Sequence, residues 1–445
     1  MSKVMTVKKH MSTFQVIILG FLGVILLGAF ILMLPISARS GEITPFNEAL
    51  FTSTSAVCVS GLVVQDTATY WTSFGQAVII ILIQIGGLGV VTVAASFALL
   101  SGRKISLMQR STMQDAIFAP KVGGIVKLTG FILKGTFLFE LVGALAMMPV
   151  FCRDYGLKGI WMAVFHSISA FCNAGFDIMG TPDATYASLT AYLGSPLINI
   201  IIMLLLILGG IGFLTWEDVY TNKFHFKRYR MQTKVILLTS LLLLILPALF
   251  FYFLEFTDMP IKERLLSSIF QSATTRTAGF NTADLAAMTG ASQAIIIFLM
   301  LIGGSPGSTA GGMKTTTFAL LIANGIATFL RKEDAELFGR RIDGTVIKNA
   351  ATILMMYITL FYGGAIIISM AEGLPLSTCL FETASAVGTV GLTLGITSQL
   401  GIISQIVLMT LMFLGRVGGL TLIFAALSGT NKKHSKLPQE KITVG

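Results

Sequence analysis

Long apolar runs alternate with short polar stretches along the whole chain. Eight of these runs contain few charged residues, and about 20 apolar residues suffice for a helix to cross a hydrocarbon core of about 30 Å. The runs lie near residues 12–34, 72–100, 125–151, 194–216, 232–256, 290–330, 346–371 and 399–428. We therefore predict an all-α integral membrane protein with eight transmembrane helices. The strands of an outer-membrane barrel would instead alternate polar and apolar positions over about ten residues.

Between paired spans lie semi-polar segments that are too short and too polar to cross a bilayer, near residues 45–63, 159–177, 262–281 and 376–393. Three of them open with a proline that suits the start of a helix, Pro45, Pro260 and Pro375. Each segment then ends in small residues and glycine. Because non-helical backbone at membrane depth survives only inside protein or along a watery cavity, we predict four re-entrant pore loops.

The same unit, a span followed by a short helix, a loop and a second span, therefore occurs four times. We predict four tandem helix–pore loop–helix repeats around one central pore, because a unit that recurs along the sequence typically indicates a repeat architecture. The repeats cover residues 12–100, 125–216, 232–330 and 346–428, and the third has a broken inner helix. The predicted cytoplasmic segments are 1–11, 101–124, 217–231, 331–345 and 429–445.

The distribution of charge sets the location of the chain. Only 12% of the residues are charged, against roughly 25% in soluble domains, which excludes a soluble enzyme. The formal net charge is +10, and 22 of the 31 Lys and Arg residues lie in the two termini or in three clusters at the predicted loops, residues 103–127, 223–234 and 331–348. Positive charge marks cytoplasmic loops, so we predict a multi-pass protein of the cell membrane with cytoplasmic N- and C-termini. This pattern points to a lipid environment and to no nucleic-acid partner.

The four loops align on a shared glycine. The fourth reads TVGLT from Thr389 to Thr393, and potassium-channel filters read TVGYG. The predicted ion-binding residues are Val59, Ser60 and Gly61 of the first loop, Asn173, Ala174 and Gly175 of the second, Thr277, Ala278 and Gly279 of the third, and Thr389, Val390 and Gly391 of the fourth.

Carbonyl oxygens converge on an axis only if the side chains stand aside, and glycine tolerates the backbone angles that this requires. Neutral dipoles bind a dehydrated monovalent cation strongly enough to replace water and weakly enough to release it. Among the aligned loop residues only Asp177 is acidic, whereas a divalent ion would favour a ring of carboxylates. We predict a monovalent cation as the substrate, held at Gly61, Gly175, Gly279 and Gly391, and no cofactor in this chain.

A glycine cluster occurs in each second span, and the third cluster is unusual. Pro306 and five glycines would each cost a helix about 1 to 3 kcal/mol, so the helix must break there. We predict an intramembrane gate formed by Gly303, Gly304, Ser305, Pro306, Gly307, Ser308, Thr309, Ala310, Gly311, Gly312, Met313 and Lys314. The alternative is a kinked helix without a gating role. A phosphate-binding loop is disfavoured, because Met313 occupies the position of its lysine and no strand precedes it.

Arg416 lies within an apolar span, where a cation costs about 2.5 to 3.5 kcal/mol on insertion scales. One interpretation places its charge beside the permeation path as a barrier or as a partner of the gate. The other makes it a buried partner of an acid such as Glu382 or of a neighbouring carbonyl. Lys314 either contacts the gate segment or extends toward the membrane surface.

Two other classes of function remain as rivals. An ion-coupled secondary carrier, or cation symporter, would have repeats of inverted topology and an ionisable site at the membrane midplane, whereas all four repeats here have the same orientation. An intramembrane enzyme could use Glu48, Glu140 and Glu382, or His166, Cys172 and Asp177. A catalytic group is needed only once, which a fourfold pattern does not suit.

These loop motifs resemble those of the Trk, Ktr and HKT superfamily of potassium transporters, and most closely those of the Ktr membrane subunits. The resemblance covers nearly the whole chain. It implies channel-like potassium uptake, one filter glycine in each loop, an intramembrane gate and an arginine in the fourth inner helix. It also implies a homodimer and a separate cytosolic ring of KtrA-like regulatory subunits, and nucleotide is expected only on that partner. Plant relatives that favour sodium have serine in place of the first glycine, here Gly61.

Replacing Gly61 by serine is therefore expected to raise sodium permeation relative to potassium. A flux assay with the two cations in competition measures this preference. An unchanged preference would count against the assignment of Gly61 to a filter.

Overall fold

The computed structural model describes residues 12–100, 107–117, 123–223 and 225–419. The predicted terminal segments 1–11 and 429–445 lie outside these ranges, as do residues 420–428 of the fourth repeat and parts of the predicted loop 101–124.

The described residues are mostly helical. The first two repeats contain α1 (Thr13–Leu32), α2 (Phe46–Cys58), α3 (Ser73–Leu88), α4 (Val90–Leu100), α5 (Leu107–Ile117), α6 (Ile125–Tyr155), α7 (Lys158–Phe171), α8 (Pro196–Gly210) and α9 (Phe213–Asn222). The third and fourth contain α10 (Met231–Phe250), α11 (Ile261–Thr274), α12 (Gly290–Leu301), α13 (Thr315–Phe329), α14 (Gly344–Glu372), α15 (Leu376–Gly388) and α16 (Ile402–Val417). A small antiparallel hairpin, β1 (Glu336–Leu337) and β2 (Arg340–Arg341), precedes α14.

Each repeat begins with a long helix (α1, α6, α10 or α14), followed by a short helix (α2, α7, α11 or α15). Pro45, Pro260 and Pro375 are the residues immediately before three of the short helices. Asp343 caps the fourth long helix, where the Thr345 amide donates to its Oδ1 at 2.7 Å and lowers the pKa of that carboxyl. The residues that begin these helices are thus the ones that favour a helix start.

The short helices form the centre of the core. Each contains a phenylalanine with no exposed surface, and Phe51, Phe165 and Phe381 all lie ten positions before the loop glycine. Phe270 lies nine positions before Gly279, so the third repeat is one residue shorter at this point. Outside the core, long helices expose large apolar side chains to the surroundings, as expected for surfaces that face lipid.

The long helix of a repeat contacts its short helix through glycine. A Cβ atom at Gly28 of α1 would meet the Ser53 hydroxyl and would lie 2.7 Å from Leu82 Cδ1. Three helices therefore meet at Gly28. The second and fourth repeats place Gly143 against Ser167 and Leu205, and Gly364 against Thr383 and Leu411.

The glycine clusters break more inner helices than expected. We predicted a break only in the third repeat, but the axes of α3 and α4 differ by 97°, and those of α8 and α9 also differ by 97°. Gly89 (φ +85°) and Gly212 (φ +91°) lie at these bends in a conformation that other residues rarely adopt. The predicted continuous spans 72–100 and 194–216 are thus wrong in this respect, and α5 and α9 extend into segments predicted as loops.

Length and apolarity identify four membrane-crossing helices among the described residues, α1, α6, α10 with its π-helical extension to Glu255, and α14. The two bent pairs, each taken as one span, raise this number to six. The shorter apolar helices α12, α13 and α16 do not reach the same length. The protein is therefore integral to a membrane, and the total of eight spans stays a prediction.

Gly28→Val is expected to destabilise the protein by about 1 to 3 kcal/mol, the usual cost of overfilling a packed contact. Gly23→Val, on the same helix, is the matched control, because a Cβ atom there has no neighbour within 4 Å. Thermal unfolding in detergent measures both variants. Equal midpoints for the two would contradict the role of Gly28 in packing three helices.

Candidate ion pathway

The loops that follow the four short helices meet in a closed ring. A Cβ atom at Gly61 would contact the Ala174 carbonyl, and one at Gly175 would contact the Ala278 carbonyl. In the same way Gly279 approaches the Val390 carbonyl, and Gly391 approaches the Ser60 carbonyl. Each loop therefore touches the next in chain order and the fourth touches the first, which places the four loops around one axis.

The backbone of three loops turns in the same manner. Val59, Asn173 and Thr389 have φ between 52° and 59°, in the left-handed region. The residue after each donates its amide to the carbonyl five positions earlier, as Ser60 does to Ser55 at 2.8 Å. The third loop is different, because the Ala278 amide bonds the Thr274 carbonyl at 2.9 Å, four positions earlier. The bond spans one residue fewer than in the other loops, because the third repeat has one residue fewer between Phe270 and Gly279.

Side chains of the short helices hold the loops from behind. The Ser169 hydroxyl donates to the Phe176 carbonyl at 2.7 Å, and the Thr274 hydroxyl donates to the Phe280 carbonyl at 2.7 Å. In the fourth repeat the Gly391 amide donates to the Ser385 hydroxyl at 3.0 Å. Each of these bonds joins a loop to the short helix that precedes it. The side of the loop that faces the ring therefore consists of main-chain atoms.

The four carbonyl oxygens of the ring accept no hydrogen bond from a described residue, although Ser60, Ala174, Ala278 and Val390 have no exposed surface. A buried carbonyl without a partner costs free energy comparable to a lost hydrogen bond. A cation coordinated by these oxygens removes that cost. The described residues contain no cluster of three or more His, Cys, Asp or Glu side chains that could hold a metal ion. The polar groups that the four loops bring together at this point are main-chain carbonyl oxygens.

The acidic side chains near the loops bind protein groups. Glu382 accepts hydrogen bonds from the hydroxyls of Thr393, the last residue of the fourth loop, and of Thr397. Glu48 accepts from the Gln65 side chain at 2.9 Å. Asp177 accepts from the Met179 amide at 3.0 Å. Each carboxylate thus supports the chain that leaves a loop and contributes no ligand to the ring.

The break in the third inner helix lies directly beside the loops. No α-helix spans residues 302–314, and Gly303 and Gly304 donate to the carbonyls of Met313 and Gly311 within the segment. The segment also reaches the second repeat, where the Ser305 amide bonds the Gly210 carbonyl at 2.9 Å. Toward the fourth repeat, the Gly312 amide bonds the Gly415 carbonyl at 3.2 Å.

Thr309 joins this segment to the second loop. Its hydroxyl donates to the Phe171 carbonyl at 3.0 Å and accepts from the Asn173 side-chain amide at 2.9 Å. The Asn173 side-chain oxygen, Oδ1, in turn accepts from the Thr277 hydroxyl at 2.8 Å. Two of the four loops are therefore connected to the segment through one asparagine. At Gly311 a Cβ atom would contact the Thr389 side chain, so the fourth loop lies against the segment as well.

The Arg416 guanidinium bridges three repeats. It donates to the Thr309 carbonyl in the broken segment and to the carbonyls of Gly86 and Gly87 in the first inner helix. Arg416 therefore binds neighbouring carbonyls, which was one of the predicted alternatives, and does not pair with Glu382. Lys314 donates to the Ala310 carbonyl at 2.9 Å, within the segment itself. The sequence analysis did not identify the carbonyls of the first inner helix as partners of Arg416. The glycines at 86, 87 and 89 were the available signal, because a helix without side chains at these positions lets another group reach its main chain.

The residues of the enzyme alternative contact carbonyl and amide groups. His166 Nδ1 lies 2.7 Å from the Met162 carbonyl, and the Cys172 thiol donates to Gln84 at 3.5 Å. The Glu140 carboxylate accepts from the Gln84 side chain at 3.3 Å. None of these contacts pairs a nucleophile with a base.

Comparisons with known proteins agree with this geometry. The model of the TrkH family, described as cation transport proteins, matches residues 5–434. The potassium/sodium uptake protein NtpJ of Enterococcus hirae is 39% identical, over 99% of this chain and 98% of its own length. The Ktr system potassium uptake protein B of Bacillus subtilis is 36% identical, over 97% of this chain and 96% of its own length.

The fold is also similar to a solved structure, the crystal structure of the potassium transporter TrkH from Vibrio parahaemolyticus. The TM-score is 0.73 at 19% identity, over 95% of this chain and 86% of that one. The predicted resemblance to Trk and Ktr proteins is confirmed, and so is the prediction of a transporter instead of an enzyme. A family model that covers nearly the whole chain settles the assignment: this chain belongs to the TrkH family of cation transport proteins.

Proposed function

We propose that this chain is the potassium-conducting subunit of an uptake system in the cell membrane. The observation that carries the proposal is the ring of four buried carbonyl oxygens that no described residue donates to, which suits a dehydrated monovalent cation. The names of the relatives from Enterococcus hirae and Bacillus subtilis support potassium as the substrate. In this proposal the ring residues of the four loops form a selectivity filter.

The topology of the proposal has eight spans, four re-entrant loops and the repeat boundaries given above. The bent pairs α3–α4 and α8–α9 and the interrupted α12–α13 serve as inner spans. The N- and C-termini lie in the cytoplasm, in agreement with the distribution of Lys and Arg. An inside-negative membrane potential then supplies about 2.3 kcal/mol per charge per 100 mV, so uptake needs no ATP at this chain.

Residues 303–314 are the gate in this proposal. The segment contacts the second and fourth loops on one side, and a cavity of about 80 Å³ adjoins it on the other. Ser308, Lys314 and Arg416 line that cavity together with Gly87 and Val417. A segment between a filter and a cavity blocks an ion until it moves. Arg416 holds the closed position through the Thr309 carbonyl and adds positive charge that repels a cation.

Regulation by another protein completes the proposal. The Bacillus subtilis relative is named as a component of a Ktr system, which supports partnership with other components. We propose a homodimer of this chain on a cytosolic, nucleotide-binding ring. The excess of Lys and Arg in the predicted cytoplasmic segments suits a partner on that side of the membrane.

Uptake of rubidium by proteoliposomes that contain this chain alone, with and without sodium, tests the function. Competition by potassium is expected, and strict dependence on sodium would favour the symporter instead.

Gly391→Ala is expected to reduce uptake at least tenfold, because its Cβ atom would enter the ring at the Ser60 carbonyl. Gly395→Ala is the matched control, since Gly395 has a similar φ of +90° but open space around it. Equal uptake by both variants would remove the ring from the permeation path.

Thr309→Val keeps the shape of the side chain and removes two hydrogen bonds between the gate and the second loop. We expect basal uptake without a partner to rise by up to about thirtyfold, since each of the two bonds contributes about 1 kcal/mol and about 1.4 kcal/mol corresponds to a factor of ten. Ser308→Ala is the control, because its hydroxyl makes only a 3.5 Å contact to the Ala310 carbonyl. Deletion of residues 304–312 is expected to raise uptake further. Unchanged or lower uptake in folded protein from both gate variants would leave the segment without a gating role.

A further inference from the structure

An apolar groove lies on the outside of the third repeat. It has a volume of about 550 Å³ and runs between α10 and the two halves of the broken helix, α12 and α13. Its walls include Leu246 and Phe250 on one side and Phe298 and Ile322 on the other. Leu246 and Ile326 expose 61% and 53% of their surfaces, so the groove is open to the surroundings. The interruption of the inner helix leaves this space, and its size is typical of a ligand pocket.

The β-hairpin closes one end of the groove. Leu337 of β1 is a wall residue, and Arg340 is its cross-strand partner in β2. Directly opposed residues of a two-stranded ribbon lie on the same face, so Arg340 borders the groove. Phe338 contacts Phe226, and the Lys234 ammonium lies 5.9 Å and 5.8 Å from the two ring centroids. An apolar groove thus ends at a cluster of cations.

These cations are without carboxylate partners. In the described part of the chain Lys227, Arg228, Lys234 and Arg340 form no ion pair, and the Lys234 ammonium bonds only the Lys227 carbonyl, at 2.9 Å. Three nearby acids are each paired with a different cation. The pairs are Glu217 with Arg230 at 3.1 Å, Asp334 with Arg341 at 3.2 Å, and Glu336 with Lys332 at 2.9 Å. The four cations at the end of the groove are therefore left without an ion-pair partner among the described residues.

We propose that this groove binds one anionic phospholipid. An acyl chain lies along Leu246, Phe298 and Ile322, and the phosphate lies at Lys234 and Arg340. A phospholipid joins an apolar chain to a negative group, and basic pockets between membrane helices bind such head groups. A second copy of this chain that offered only an apolar helix to the groove would leave the cations at its end without a partner. The site is distinct from the ring of carbonyls and does not depend on which cation the chain carries.

Native mass spectrometry of the purified full chain, incubated with phosphatidylglycerol or with phosphatidylcholine, tests the site. We expect selective retention of phosphatidylglycerol. The double variant Lys234→Gln/Arg340→Gln is expected to weaken it about tenfold or more. Leu246→Trp, which fills the groove, is expected to weaken it as well. The matched controls are Lys332→Gln, whose lysine is already paired, and Leu141→Trp, whose leucine is 57% exposed on α6.

Four outcomes would overturn the proposal. They are equal retention of the two lipids, unchanged retention by the charge variant, unchanged retention by Leu246→Trp, and dissociation of a dimer by Leu246→Trp without loss of lipid. The last outcome would assign the groove to a second copy of this chain. Thermal unfolding of every variant verifies folding, and Lys234→Arg/Arg340→Lys, which keeps both charges, is expected to bind as the wild type does. Because binding is measured without transport, a failure here is distinguishable from a failure of the proposed transport function.

Discussion

The rest of the structure depends on four main-chain oxygens that are buried without a hydrogen-bond donor from a described residue. Ser60, Ala174, Ala278 and Val390 contribute them, one from each repeat. No single loop could bring so many dipoles to one point, because its own side chains and turns would intervene. Four short helices that end at the same level solve this problem, and each needs a long helix outside it to exclude lipid. The fourfold repetition of the sequence is therefore a consequence of the coordination chemistry that we propose.

Such a ring also requires that backbones approach each other closely. Glycine allows this approach both in the loops and in the inner helices that surround them. Gly86, Gly209 and Gly415 of the inner helices lie against carbonyls at the ends of the short helices, where a Cβ atom would overlap Val57, Phe171 or Val387. These contacts leave no room for a side chain. The inner helices therefore hold the short helices at the axis by contact between main chains, and the large apolar side chains are left to cover the outside.

The sequence predicted those features that follow from residue type alone. The loop glycines, the prolines before α2, α11 and α15 and the break at Pro306 each reflect a local backbone preference. The bends at Gly89 and Gly212 were missed, because each glycine of a cluster costs a helix only about 1 kcal/mol and tertiary contacts decide whether the helix yields. At Gly212 the deciding contact is the Pro306 carbonyl, nearly a hundred residues away. The partners of Arg416 were equally inaccessible, since carbonyl acceptors carry no signature in a sequence.

Departures from fourfold symmetry lie where the proposed gate is. A symmetric pore has no place for a single blocking segment, because any element on the axis must come from one repeat. The third repeat supplies residues 302–314, and its own loop is one residue shorter and differently bonded. The fourth supplies Arg416 and the first supplies the carbonyls of Gly86 and Gly87. Thr309 binds the second through Phe171. The second and fourth repeats therefore bond this segment directly, and the first is linked to it through Arg416. Moving the segment breaks its bonds to the second and fourth repeats, so a partner that biases either of them can alter the stability of the closed position.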